Sequence, residues 1–241
     1  MSRLLLAMMF VFAGLLQIGQ AQTQYPISHR RWEFSGFGGT SIINDQVFTT
    51  PVAGSEQQSS AQVGMQFGTS WSLGARLSES MGDYWGAEFE WSYSNQPLRF
   101  TNLTPTVPAL SVSQGVNTFA YNFIFFLTDP YKRLRPYAIA GIGTSLFSPY
   151  GSSRSQAAAA GIDLGNSWTF VFDWGGGVKY LFHDHWAARV DLRSHLGTMP
   201  NYGLPSSAGI VQGQYVPGMA TSGTLWNWTI NGGIAYQWDS W

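Results

Sequence analysis

The stretch Trp226–Trp238, WNWTINGGIAYQW, sets Trp226, Trp228, Ile230, Gly232, Ile234, Tyr236 and Trp238 at every second position. Asn227, Thr229, Asn231, Gly233, Ala235 and Gln237 stand between them. A period of two is that of a β-strand, whose successive side chains point to opposite faces. One face is therefore apolar and rich in tryptophan, and the other is polar or small. In a soluble protein a second layer must cover such an apolar face, and no amphipathic helix elsewhere in the chain offers itself.

Working back along the chain, the same rhythm recurs. Trp186–His195 sets Trp186, Ala188, Val190 and Leu192 against Ala187, Arg189, Asp191 and Arg193. Trp168–Leu181 sets Phe170, Phe172, Trp174, Gly176, Val178 and Tyr180 against Thr169, Val171, Asp173, Gly175, Gly177 and Lys179. Further strands are expected at Leu134–Leu146, Val116–Thr128, Tyr84–Ser94 and Ser70–Ser78, with a first at Trp32–Gly39, where Phe37 interrupts the polar set. The links between these eight segments alternate. Those after the second, fourth and sixth are turns of a few residues, whereas the stretches following the first, third, fifth and seventh are long and rich in Pro, Gly, Ser and Asn. The second long loop is expected over Asn95–Gln114, and the fourth, Gly197–Gly223, is expected to expose Met199, Tyr202, Tyr215 and Met219.

Composition agrees with strands in lipid. Charged residues are 10% of the chain and aromatics 16%, against roughly 25% charged in an ordinary soluble domain. The mean hydropathy is only −0.06, too low for a helical membrane protein and natural for alternating strands. A soluble β-sandwich would also alternate, but it would carry a charged surface, and this chain has two lysines, Lys132 and Lys179. A net charge of −1 gives no basic field for nucleic acid. The absence of cysteine excludes disulfides, thiolate chemistry and a lipid anchor on cysteine. At the N-terminus, Arg3, the apolar run Leu4–Leu16 and Gly19-Gln20-Ala21 read as a cleaved secretory signal. The domain plan is thus a signal peptide over 1–21 and a barrel domain over 22–241. The expected fold is all-β: an eight-stranded antiparallel transmembrane barrel with short periplasmic turns, four long external loops and both mature termini periplasmic.

The segments Arg133–Gly143 (RLRPYAIAGIG) and Gly175–His195 (GGGVKYLFHDHWAARVDLRSH), with the aromatic last strand, resemble the bacterial outer-membrane β-barrel domain family, relatives of the OmpA-type transmembrane domain. The resemblance implies an outer-membrane protein that meets the export and barrel-assembly machinery and then lipid and lipopolysaccharide. It specifies architecture and says little about function. No peptidoglycan-binding domain is expected, since the chain stops at Trp241.

Parity assigns nine charged residues to the lumen: Glu33, Arg76, Glu88, Glu90, Asp173, Lys179, Arg189, Asp191 and Arg193, with His195 at the outer end. Five acids against four bases read as a mutually neutralising structural network, since charges in a narrow interior must pair or stay hydrated. Within it Lys179 is expected near Asp173 on the same strand, with the arginines facing Glu88, Glu90 and Asp191. Ser194 and His195 would suit an acyl hydrolase, but adjacent strand residues point to opposite faces, so no catalytic pair is assigned. His183, Asp184 and His185 occupy one tight turn, and neither a metal nor a cofactor is assigned. The functional expectation is a non-enzymatic structural or surface-binding protein acting through its external loops on an unknown external ligand. The alternatives are a small channel and, behind it, a lipid A-modifying acyl hydrolase. N-terminal sequencing of protein recovered from the outer-membrane fraction should begin at Gln22; recovery as a soluble periplasmic protein would contradict this reading.

Overall fold

The computed structural model describes residues 31–51, 60–102, 109–207, 209–211, 214–216 and 223–239. The signal segment read at residues 1–21 lies outside the described residues.

Strand β1 (Trp32–Ile43) runs on, past a bend at Asn44 and Asp45, into β2 (Gln46–Pro51). The return leg is β3 (Ser60–Phe67) and β4 (Ser70–Ser80), interrupted only at Gly68 and Thr69. Then follow β5 (Trp85–Thr101), β6 (Ala109–Phe126), β7 (Leu134–Pro149), a helix α1 (Gly151–Ala159), β8 (Ser167–His183) and β9 (Trp186–Thr198). A small hairpin, β10 (Gly209–Val211) and β11 (Gln214–Val216), precedes β12 (Thr224–Trp238). Every neighbouring pair is antiparallel, and the order β1-β4-β5-β6-β7-β8-β9-β12 returns to β1, which pairs with β12 from Trp32–Trp238 to Ile43–Asn227. The barrel is closed and eight-stranded. Closure leaves no open edge in that ring, the condition for placing a sheet in hydrocarbon.

Two of the expected loops are largely strand. The first contracts because β2 and β3 pair with each other and β3 continues along β5, Phe67 opposite Leu98. Asp45 fixes the bend by accepting the Phe67 N–H at 2.9 Å. The second contracts because β5 and β6 remain paired out to Thr101 and Ala109. Pro97, which argued for a loop there, lies opposite the Gly68–Thr69 interruption, where a missing ladder N–H does little harm, and its carbonyl accepts the Gly68 N–H at 3.0 Å. The short strands β2 and β3 and the long strands β5 and β6 thus raise one wall above the ring. Its free β6 edge is covered by α1. Ser153 Oγ accepts the Ser113 N–H at 2.9 Å and donates to the Ser113 carbonyl at 2.8 Å, as a neighbouring strand would.

The outward face is apolar around the ring. Trp168 is 61% exposed, Phe123 57% and Ile234 57%, values that belong to side chains facing lipid. Aromatic pairs brace this surface across strands, with Trp85 against Phe125 at 4.8 Å and Trp186 against Tyr236 at 5.1 Å. Along β5 the apolar face runs from Trp85 to Tyr93, about 26 Å of strand and roughly 20 Å of height at a tilt of about 40°. Arginine placed near the middle of that band, at Phe89 or its cross-strand neighbour Tyr121, should destabilise the barrel by about 2–4 kcal/mol in a lipid-based unfolding titration. A wild-type midpoint for either variant would contradict a lipid-facing assignment.

Candidate functional site: the charged lumen and its apolar cap

All nine lumen residues named from the sequence point inward and none is more than 8% exposed. Arg76 on β4 places Nε 2.7 Å from Glu90 and closes a two-pronged contact on Asp191 of β9, at 2.8 and 3.0 Å. Arg193 on β9 reaches Glu88 at 2.7 Å and Glu90 at 2.6 Å, both on β5, and Asp191 at 2.9 Å. Arg189 joins Glu88 to Glu33 on β1, at 2.8 and 2.9 Å. β9 and β5 lie four places apart in the eight-membered ring, so these contacts cross the full width of the lumen.

Lys179 does not pair with Asp173. Its ammonium lies 2.8 Å from Glu33, across the barrel. Lys179 and Asp173 are six residues apart, about 20 Å along an extended strand, beyond side-chain reach. Asp173 instead faces His195 at 3.4 Å and Arg193 at 3.7 Å.

Three residues outside the expected set complete the network. Phe37, the apolar intruder in the first strand, lies under the Arg76 guanidinium at 3.8 Å. It fits because its cross-strand neighbours are Gly74 and Gly233, where an added Cβ would come within 2.4 and 2.8 Å of its side chain. Cation–π contact stabilises a desolvated arginine by about 2 kcal/mol. Tyr137 crosses Gly177 in the same way, its hydroxyl 3.3 Å from Asp191. Arg135, buried at the turn end, stacks on Phe126 at 3.8 Å and donates to the Asp83 carbonyl at 2.7 Å. Alternation along β7 places Arg135 and Tyr137 on one face with the buried Ile139, a signal that Pro136 and the glycines at 141 and 143 obscure in the sequence.

Above the ion pairs the lumen turns neutral and polar. Ser41 donates to Asn227 at 2.7 Å, Gln96 donates to Ser41 at 2.9 Å, and the hydroxyls of Thr118 and Ser145 meet at 2.8 Å. The buried amides of Asn122, beside Asp173, and Gln114, beside Tyr202, make no hydrogen bond of good geometry among the described residues. Groups of this kind suit ordered water, which needs two to four polar partners.

The loop end closes this layer with a hydrophobic cluster that includes Ile43, Met65, Phe67, Leu98, Phe100, Val112, Phe147, Leu164, Met199 and Tyr202. The fourth loop, expected to expose Met199 and Tyr202, buries both. The reason is local. Tyr202 (φ 53°) and Gly203 (φ 79°) both adopt left-handed backbone, and Asn201 Oδ1 accepts the Gly203 N–H. That turn aims the Tyr202 ring inward, edge-on to Phe100 at 5.8 Å and Phe147 at 6.5 Å. Burial pushes its phenol pKa up. The Tyr215 side chain and Met219 lie outside the described residues.

Ser194 and His195 fall on opposite faces. His195 is inside beside Asp173, whereas Ser194 has outward parity between Trp174 and Trp228, whose rings meet 5.4 Å apart. In the turn, His185 stacks on Tyr236 at 5.7 Å, and among the described residues no three acidic or histidine side chains gather as metal ligands.

Compared with solved structures, the chain matches the outer membrane protein OprG from Pseudomonas aeruginosa at 13% identity and a TM-score of 0.55, over 88% of this chain and 99% of that one. The fold is that of an eight-stranded outer-membrane barrel. Similar, at lower scores, are the N-terminal β-barrel domain of OprF from the same organism (15% identity, TM-score 0.43, 87% and 98% covered) and Outer Membrane Protein W of E. coli (18%, 0.39, 88% and 100%). Neither protein-family models nor curated proteins yield a match. These likenesses establish architecture, and function has to be argued from the lumen and the loop end.

Replacing Arg193 with Met leaves Glu88, Glu90 and Asp191 short of a cation in a site from which water is excluded. The folded barrel should lose about 3–5 kcal/mol, the usual cost of breaking a buried pair from one side, while still fractionating with the membrane. An unfolding midpoint equal to wild type would remove the network from the account of stability.

Proposed function

We propose that this protein is a non-enzymatic integral outer-membrane barrel, sealed to solutes, that acts through the surfaces at its long-connection end. The carrying observation is the double closure of the lumen. The arginines of β4 and β9 span the interior to Glu88, Glu90 and Asp191, and the apolar cluster around Tyr202 covers the loop end. Eight strands enclose a cross-section that side chains can fill, whereas aqueous channels belong to barrels of about 16 strands. In this reading both mature termini lie on the periplasmic side, with the short turns at 81–84, 127–133 and 184–185.

An acyl hydrolase needs a nucleophile and a base on one face. Ser194 and His195 are divided between two, which favours a non-enzymatic role. The tall wall and α1 are what this barrel adds beyond its closed ring, and elements standing above a rigid scaffold are where recognition is carried. Purified protein inserted in a planar bilayer should give little or no steady conductance. Large, reproducible open-channel steps from the wild-type protein would overturn the sealed lumen and establish the small-channel alternative.

A further inference from the structure

The outer side of the tall wall carries a trough of about 620 Å³ between the strands and α1, within the range of ligand-sized sites, roughly 300–1,000 Å³. Its hydrogen-bonding lining comes from Asp45, Gln66, Arg99, Ser111, Ser152 and Gln156. The start of α1 is fixed against this wall by Tyr150, whose hydroxyl donates to Asn95 at 3.1 Å and meets the Tyr93 hydroxyl at 2.5 Å. Burial and the bond to Tyr93 push the Tyr150 phenol up to about 12, so the clasp stays protonated at neutral pH.

Arg99 stands apart from the other arginines. Among the described residues it is the one arginine with no ion pair, hydrogen bond or ring contact; Arg31 pairs with Glu79, Arg154 bonds the Pro149 carbonyl, and Arg133 is engaged. It is exposed on the outward face of β5, six residues beyond Tyr93, where the apolar band ends. Six residues are about 20 Å of strand, or roughly 15 Å of height at the barrel's tilt. The polar headgroup zone of a phospholipid leaflet adds only about 5–8 Å beyond the hydrocarbon. A phospholipid headgroup therefore stops short of Arg99, whereas a lipid with a saccharide headgroup reaches it.

We infer that this trough docks the phosphorylated saccharide headgroup of an outer-leaflet glycolipid, with Arg99 on a phosphate and the Ser and Gln side chains on sugar hydroxyls. A guanidinium presents planar, paired donors to phosphate oxygens, and the surrounding hydroxyls, amides and single carboxylate match a neutral polyol. Between Tyr93, where the lipid-facing band ends, and the trough, the outward positions of β5 and β6 are Asn95, Pro97, Asn117 and Ser113, a polar approach that suits a saccharide better than an acyl chain. The inference rests on the reading that the long-connection end faces outward.

The test titrates rough-type lipopolysaccharide into phosphatidylcholine vesicles holding the folded barrel and measures bound glycolipid by native mass spectrometry. Wild type, Arg99→Gln and, at the opposite end, Lys132→Gln are compared, each with its heat-shifted gel migration intact. Arg99→Gln should weaken binding about tenfold, the scale of losing one set of charge-assisted bonds, with Lys132→Gln unchanged. Equal affinity of Arg99→Gln and wild type would overturn the site, as would equal binding of dephosphorylated lipopolysaccharide. Inorganic phosphate or a soluble sugar phosphate competing at the lipid's own affinity would overturn the lipid as its source. Failure of the sealed-lumen reading would show as conductance and leave this binding result untouched.

Discussion

Charge confined inside a narrow barrel governs the rest of this structure. Arg76 and Arg193 leave solvent only because Glu88, Glu90 and Asp191 meet them within 3 Å, and those acids leave solvent only on the same terms. Alongside the local pairs Arg193–Asp191 and Arg76–Glu90, other contacts reach across the barrel. Arg193 crosses from β9 to β5, Lys179 from β8 to β1, and Arg76 from β4 to β9, so each bond fixes one wall against another. A buried ion pair stabilises weakly against a hydrophobic substitute of the same shape, but removal of one partner is costly. Such a network therefore specifies which strands face each other more than it adds stability.

Outside, the ordering is reversed. Where a soluble protein gathers aromatic residues into a core, this barrel turns them out and keeps its glycines where side chains must pass. Gly74 and Gly233 let Phe37 lie flat beneath Arg76, and Gly177 does the same for Tyr137. Hydrophobic packing in the ordinary sense appears mainly at the loop end, where Phe100, Phe147 and Tyr202 cover the polar layer below. Bilayer, ion pairs and apolar cap thus occupy three separate zones of one small domain.

Parity carried most of this into the sequence. Because side chains alternate strictly in a strand, Arg189, Asp191 and Arg193 had to share a face, and Trp226 to Trp238 had to share the other. What parity cannot give is register. Strand spacing alone puts Asp173 out of reach of Lys179, but that Glu33 is its partner across the barrel depends on a stagger that one strand does not encode. Two further features were hidden by composition. Pro97 and the polar run after Ile43 looked like loops, although Val63, Met65 and Phe67, then Leu98 and Phe100, keep the strand rhythm. Met199 and Tyr202 looked exposed because a loop was assumed to face water; the left-handed pair at 202 and 203 turns the ring inward, a backbone property that Tyr202 itself does not announce.

The central claim is that the lumen charges act as one coupled network rather than as independent polar filling. A double-mutant cycle on Arg76 and Asp191, using Arg76→Met, Asp191→Asn and the pair, measures this directly through unfolding free energies in lipid vesicles. The account predicts a coupling energy of about 1–3 kcal/mol, the range for contacting groups in one network. Additivity within about 0.5 kcal/mol, the behaviour of distant sites, would contradict it.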